Sequence, residues 1–409
     1  MEGYNRRPKR TAETGTASAV EGYNRRPKRT AEMGTASAVE GYNRRPKRTA
    51  ETGTALAVEG FKKQRKNHHI LKSKCRLKYV FSDIYKRLNN TKKKKERKFK
   101  MSLEHFISIH DITTDEFKHL MDLGFRLKKE TKMGIPHPIL KGKVLGMIFT
   151  KSSTRTRISF ETGMYQLGGY PIFLSSHDIQ LGRGESIYDT ANVMSRFVDG
   201  IMIRTYAHQD VLDLAKYGSV PVINGLTDLL HPCQVMADLM TVYEHKGRLE
   251  GLKLAYIGDG NNMAHSLLYG CAKAGMDISV ATPKGYEPDG EIVQNAVSDA
   301  KETGSNIVVT YDPEEAMKDA DVVCTDTWVS MGQEAEKAER IKIFKDYQIN
   351  GELFSKSKDD SIFIHCLPAY RGYEVTEDII DGPRSVIFDE AENRLHAQKA
   401  VMAAVMGGI

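Results

Sequence analysis

The sequence predicts an α/β protein with two doubly wound parallel-sheet domains linked by helices, preceded by a disordered basic repeat segment. Three observations predict this. From Lys143 onward, short apolar runs alternate with helical patterns, as βα units around a parallel sheet do. The runs form two series, separated by a long helical stretch from about Pro232 to His245. Residues 1–100, by contrast, have too few large apolar side chains to bury a core.

The first hundred residues open with a repeat of period 19, in which Glu2-Gly3-Tyr4-Asn5-Arg6-Arg7-Pro8-Lys9-Arg10 returns from Glu21 and from Glu40. They hold 29 Lys and Arg against 9 Asp and Glu, a formal +20, so the whole-chain +7 leaves −13 for residues 101–409. Three readings compete. A basic arm would bind nucleic acid weakly and with salt sensitivity. A transit peptide would be poor in acidic residues, which the repeated glutamates contradict. The preferred reading is that translation starts at Met101, and that residues 1–100 contribute nothing to function.

The ordered chain opens with a capping box, Thr113-Thr114-Asp115-Glu116, followed by Phe117, Leu120, Met121 and Leu127 on one helical face. Strands are expected at Val144–Phe149, Pro171–Leu174, Gly200–Ile203 and Val220–Ile223. A second series is expected at Leu252–Ile257, Ile278–Ala281, Asn306–Thr310, Asp321–Cys324 and Ser361–Ile364. A final helix is expected at Glu392–Met406. The expected divisions are 1–100, 101–237, 238–391, and a C-terminal helix at 392–409 that packs back on the first domain.

In parallel-sheet domains ligands bind beyond the carboxyl ends of the strands. Polar clusters fall there repeatedly: Ser153-Thr154-Arg155-Thr156-Arg157, Arg204-Thr205, His231-Pro232-Cys233-Gln234, Asn261-Asn262, Asp326-Thr327 and His365-Cys366-Leu367-Pro368. The first stands where a strand gives way to a helix, and free N–H groups, the helix dipole and Arg155 suit a phosphate. Each cluster alone has a bland account, Arg204 as a surface charge or Cys366 as a small buried hydrophobe. Six at equivalent positions favour one interdomain site.

Other classes are excluded. Gly258-Asp259-Gly260 begins like a dinucleotide fingerprint, but Met263 occupies the third glycine position and Thr282-Pro283 stands where a ribose-binding carboxylate belongs. There is no P-loop. The five cysteines form no CxxC pair and no zinc spacing, so no metal and no cofactor is expected, and their scatter fits a reducing, cytoplasmic compartment. No apolar run approaches the roughly 18 residues that a membrane span needs.

Taken together, the Ser153–Arg157, His231–Gln234, Asp326–Gly332 and His365–Pro368 motifs, with Glu392-Asn393-Arg394, resemble the aspartate/ornithine carbamoyltransferase family from about Met101 to the C-terminus. The Ser330-Met331-Gly332 loop resembles that of the ornithine-using branch. The resemblance implies a homotrimer that transfers carbamoyl from carbamoyl phosphate to the δ-amine of L-ornithine without a metal, giving citrulline. It implies a carbamoyl phosphate-binding domain at 101–237 and an ornithine-binding domain at 238–391. Ser153, Thr154, Arg155, Thr156 and Arg204 would hold the phosphate. Thr156, Arg204 and His231 would polarise the carbonyl, with Arg204, His231 and Cys366 as the catalytic set. Pro232, Cys233, Gln234, the Cys366 and Leu367 carbonyls and Arg394 would surround the carbamoyl group, and Gln180 would reach it from a neighbouring subunit. Asp326 suits the acceptor's α-ammonium; Asn262, Ser330 and Met331 suit its carboxylate. Putrescine as acceptor is the nearest alternative. A nucleic-acid-binding protein that keeps an enzyme fold is the alternative of another class, and the acidic ordered part gives it no electrostatic support.

Overall fold

The computed structural model describes residues 103–181, 184–329 and 334–409. The basic repeat segment, and the predicted ligands Ser330 and Met331, lie outside the described residues. Helix α1 (Thr114–Lys132) begins at the expected capping box, with Thr113 and Glu116 capping each other reciprocally. Then β1 (Val144–Phe149), α2 (Thr154–Gln166), β2 (Tyr170–Ser175), α3 (Ile187–Met194), β3 (Gly200–Arg204), α4 (His208–Tyr217) and β4 (Val222–Leu226) build a sheet of order β2-β1-β3-β4. All its pairings are parallel. Helix α5 (Pro232–Lys246) leads to the second series: β5 (Lys253–Ile257), α6 (Asn262–Ala274), β6 (Asp277–Ala281), α7 (Gly290–Thr303), β7 (Ile307–Thr310), α8 (Pro313–Met317) and β8 (Val322–Cys324). It continues through α9 (Lys337–Ile343), α10 (Gly351–Phe354), β9 (Ile362–Ile364) and α11 (Glu377–Ile380) to α12 (Ile387–Gly407). The second sheet, of order β7-β6-β5-β8-β9, is also parallel throughout.

Strands covered on both faces read as unbroken apolar runs, which is why the sequence located them. Leu145, Met147, Ile148, Met202, Ile203, Leu254 and Ile257 are fully buried. Each such side chain contributes roughly 1.5 to 3 kcal/mol of apolar burial. Two elements differ from expectation. Strand β4 runs two to three residues later than Val220–Ile223, and pairing slips between Ile203 and Arg204 as Arg204 pairs with Leu226. Helix α12 starts five residues before Glu392, at Ile387, and its N-cap Val386 makes no side-chain cap bond, so the sequence carries no capping signal for that start.

Helix α12 packs on α1, α2 and α5. One continuous core therefore runs from Leu145 and Met202 through Val235 and Leu239 to Leu254 and Leu267, with Val401 and Met402 of α12 inside it.

Candidate active site

Beyond the strand ends of both sheets lies a cavity of about 890 Å³, within the range of roughly 300–1,000 Å³ usual for small-molecule sites. Its first wall is the β1–α2 junction. Ser153, in extended conformation, caps α2 by accepting from the Thr156 amide, 3.3 Å away. The early N–H groups of α2 thus meet the cavity beside Ser152, Ser153, Thr154 and Arg155.

Three guanidiniums converge there. Arg155 extends from α2 and donates from Nη2 to the Leu367 carbonyl at 2.6 Å. Arg204 ends β3, and Arg394 comes from the second turn of α12; both line the cavity and both are at least 95 % buried. Arg394 donates to Thr156 Oγ1 at 2.8 Å. The Nε atoms of Arg155, Arg204 and Arg394 are buried without a partner. Burial, and then the like charges of Arg394 and Arg155, lower Arg204 to about 10. Such mutual repulsion is relieved by a dianion between the three.

His231 precedes α5, anchored by its amide on Ser266 Oγ at 2.7 Å. Burial and the three arginines hold its imidazole well below the ordinary range, so it is neutral at physiological pH. A neutral imidazole keeps one N–H donor, the form that can polarise a carbonyl without adding a fourth positive charge.

The opposite wall belongs to the second sheet. Asp326, after β8, accepts from Asn261 Nδ2 at 2.9 Å, from the Thr327 amide at 2.8 Å and from the Cys366 thiol at 3.3 Å. Burial, and then the Asp326 carboxylate, push that thiol well above its ordinary value, so Cys366 is a thiol and donor here, not a thiolate. Asn262 donates from Nδ2 to the Thr227 carbonyl at 2.6 Å. Leu367 adopts a left-handed φ of 56°, a conformation that costs a β-carbon-bearing residue of order 1 kcal/mol or more. Asp326, His365 and Cys366 offer three ligand atoms within 4.8 Å of one another. Two of these atoms are already engaged in hydrogen bonds, since Cys366 donates to Asp326 and His365 Nδ1 accepts from the Leu367 amide at 2.9 Å.

Of the residues singled out from sequence, Ser153, Thr154, Arg155, Arg204, His231, Asn262, Asp326, Cys366, Leu367 and Arg394 line this one cavity. Thr156, Pro232, Cys233 and Gln234 are buried behind its wall. Cys233 donates to the Asn224 carbonyl at 3.4 Å, and burial raises it to about 12, an inert thiol. Gln180 is exposed and away from this chain's own cavity.

Sequence reasoning missed part of the wall. Lys151, 5 % exposed, pairs with Asp228 and sits 4.0 Å over the Tyr206 ring. Arg340 donates to Asp259 at 2.8 Å and to the Trp328 carbonyl at 3.0 Å. Lys151 lies two residues before the Ser153–Arg157 cluster and Asp259 lies inside Gly258-Asp259-Gly260; Arg340 has no local signal.

Comparison with known proteins bears on the same two halves. Residues 104–244 match the aspartate/ornithine carbamoyltransferase carbamoyl-P binding domain, and residues 250–405 match the Asp/Orn binding domain of that family. An ornithine carbamoyltransferase of Caldicellulosiruptor saccharolyticus is 60% identical over 306 residues, 75% of this chain and 99% of that protein. One of Thermococcus kodakarensis is 58% identical over 303 residues, 74% of this chain and 96% of that protein. The solved ornithine carbamoyltransferase of Pyrococcus furiosus superposes with a TM-score of 0.74 at 54% identity, covering 76% of this chain and 99% of its own.

Proposed function

The chain belongs to the aspartate/ornithine carbamoyltransferase family, and from that premise we propose that it transfers the carbamoyl group of carbamoyl phosphate to the δ-amine of L-ornithine, giving L-citrulline and phosphate. The observation that carries this reading is the convergence of Arg155, Arg204 and Arg394, with unpartnered Nε atoms, beside a neutral His231. Three cations and a helix N-terminus match a phosphate dianion; a neutral donor beside them matches the carbonyl attached to it.

In this reading Ser153, Thr154, Arg155, Thr156 and Arg204 hold the phosphate, and Gln180 reaches it from a neighbouring subunit. The deprotonated amine attacks the carbonyl carbon, forming the C–N bond. Arg204, His231 and Thr156 stabilise the oxyanion that develops. The C–O bond to phosphate then breaks, the phosphate leaves with the electron pair, and it takes the proton that the attacking nitrogen releases. Because the Cys366 thiol donates to Asp326, it orients the amine end of the acceptor. Asp326 pairs with the α-ammonium, while Asn262, Ser330 and Met331 take the carboxylate. The carbamoyl phosphate half comprises residues 101–237 with the C-terminal helix at 392–409, and the ornithine half 238–391.

We place the enzyme in arginine biosynthesis, as the name of the Pyrococcus furiosus relative, "Ornithine carbamoyltransferase, anabolic", suggests. The four described cysteines are free, as a reducing cytoplasm leaves them. A homotrimer would cover the aromatic side chains that the first half exposes, Tyr165 and Phe197 among them.

Citrulline formation tests the assignment. The chain from Met101 onward should form citrulline with ornithine as readily as the full chain. Arg155→Ala should lower kcat/KM by about 10³ or more, since a desolvated charge-assisted contact to the leaving group is lost. Preference for putrescine in a side-by-side assay would sink the choice of acceptor.

A further inference from the structure

Gln234 is the point where α5, α12 and the end of β9 are tied together. Its Nε2 donates to Asp238 Oδ1 at 2.8 Å, one turn along α5, and to Glu390 Oε1 at 2.9 Å in the first turn of α12. The other Glu390 oxygen accepts from the His365 amide at 2.7 Å, next to Cys366. Gln234, Asp238 and Glu390 are each 1 % exposed. Gln234 Oε1 and Asp238 Oδ2 are buried with no partner.

Among the described residues neither acid has a lysine or arginine hydrogen-bond partner. Arg394, one turn beyond Glu390, directs Nη2 to Thr156 and leaves Nε unpartnered. Two ionised carboxylates sharing one neutral donor, out of water, would be strongly disfavoured. Burial accordingly raises Asp238 to about 7 and Glu390 well above the carboxylate range. The charges facing the pair are Arg394 from α12 and Asp326 after β8. The thiols of Cys324, Cys366 and Cys271, from β8, the end of β9 and α6, also face it, and burial holds all three protonated.

We propose that Asp238 and Glu390 hold one proton between them and act as positioning residues, fixing the Gln234 amide just behind the cavity wall with its carbonyl oxygen turned away from both acids, and tying to the same point the His365-Cys366 backbone, from which Cys366 lines the cavity. This rests on the carbamoyl transfer proposed above. An amide's two ends differ only in donor and acceptor. Two acids on one side therefore decide which end Gln234 turns the other way. The pair carries a single negative charge while it keeps its proton. Loss of the proton at alkaline pH places a second charge beside Gln234 and weakens carbamoyl phosphate binding.

Infrared spectroscopy of the unliganded full-length protein reads the proton without any assay. A buried carboxylic acid C=O band that shifts in D₂O and disappears in Asp238→Asn is expected, because the asparagine lets Glu390 ionise with a donor beside it. In Glu390→Gln an amide NH₂ must face either the His365 N–H or the Gln234 NH₂. KM for carbamoyl phosphate should then rise about tenfold, with KM for ornithine held within about twofold. The alkaline rise in KM for carbamoyl phosphate should flatten in Asp238→Asn. Absence of the band, equal rises in both KM values, or an alkaline rise that survives in Asp238→Asn would overturn the proposal. Citrulline formation without the band overturns the proton pair alone. The band without citrulline overturns the transferase reading, and with it the role in carbamoyl recognition.

Discussion

Arg204 is a guanidinium placed where solvation is poor and its neighbours carry its own sign. It is 5 % exposed, and burial, then the charge of Arg394, lower its pKa to about 10. For a base whose folded value is depressed, the linked stability exists above the unfolded value and is lost as pH falls through about 10. At neutral pH the cost is therefore present in full, on the order of 3 kcal/mol. Arg204→Met, similar in length and uncharged, should raise Tm in phosphate-free buffer while abolishing the rise that carbamoyl phosphate produces in the parent. A lower Tm in phosphate-free buffer would contradict this account. The residues legible in the sequence at this scale, Ser153, Arg155, His231, Asp326 and Cys366, shared two marks: a reactive or charged type, and a place just past a strand. Lys151–Asp228 and Arg340–Asp259 were invisible because each pair is made across a long stretch of chain, 77 and 81 residues apart, with no spacing pattern at either end.

At the scale of elements, the loop between β5 and α6 shows how a motif misleads and then explains itself. Gly258-Asp259-Gly260 is not a pyrophosphate turn. A β-carbon on Gly260 would meet Pro288 N at 2.3 Å, Glu287 C at 2.4 Å and Tyr286 O at 2.6 Å. The glycine thus lets two backbone segments pass in contact, and its own amide donates to the Tyr286 carbonyl at 2.9 Å. Gly260→Ala must push the 286–288 segment away. We expect a loss of about 2 kcal/mol or more from forced backbone movement, read by urea denaturation, together with a raised KM for ornithine. Unchanged stability would mean that the turn is slack. Strand positions were readable because burial on both faces leaves unbroken apolar runs. The late start of β4 and the early start of α12 were not, since pairing slippage at Arg204 and a helix start without a side-chain cap leave no mark in composition.

Across the whole molecule, charge and exposure divide the chain. Residues 1–100 carry a formal +20 while the rest is acidic, and the relatives align with about three quarters of this chain yet nearly all of themselves. The first half of the described chain exposes Tyr165 at 78 %, Tyr170 at 66 % and Phe197 at 77 %. Large aromatics left in water at this density are expected to face another subunit. Sedimentation equilibrium should give three times the chain mass, and Phe197→Asp should shift the population toward single chains. A parent protein that sediments as a monomer would remove the trimer. The sequence could not reveal this surface, because exposure depends on how α2, β2 and α3 turn once folded.

Helix α12 carries a consequence for how the protein is made. Synthesis runs from the N-terminus, so the four strands of the first sheet are complete in sequence at Leu226, whereas the helix that covers α1, α2 and α5 ends at Gly407. At roughly 5–20 residues per second the delay is on the order of ten seconds or more. Throughout it, the nascent first half presents to solvent the apolar faces that Val401 and Met402 will later occupy. Arg394 and Glu390 arrive with the same helix. No ribosome-bound chain can therefore hold a finished site, and the growing chain is a natural client for chaperones until its last residues are released.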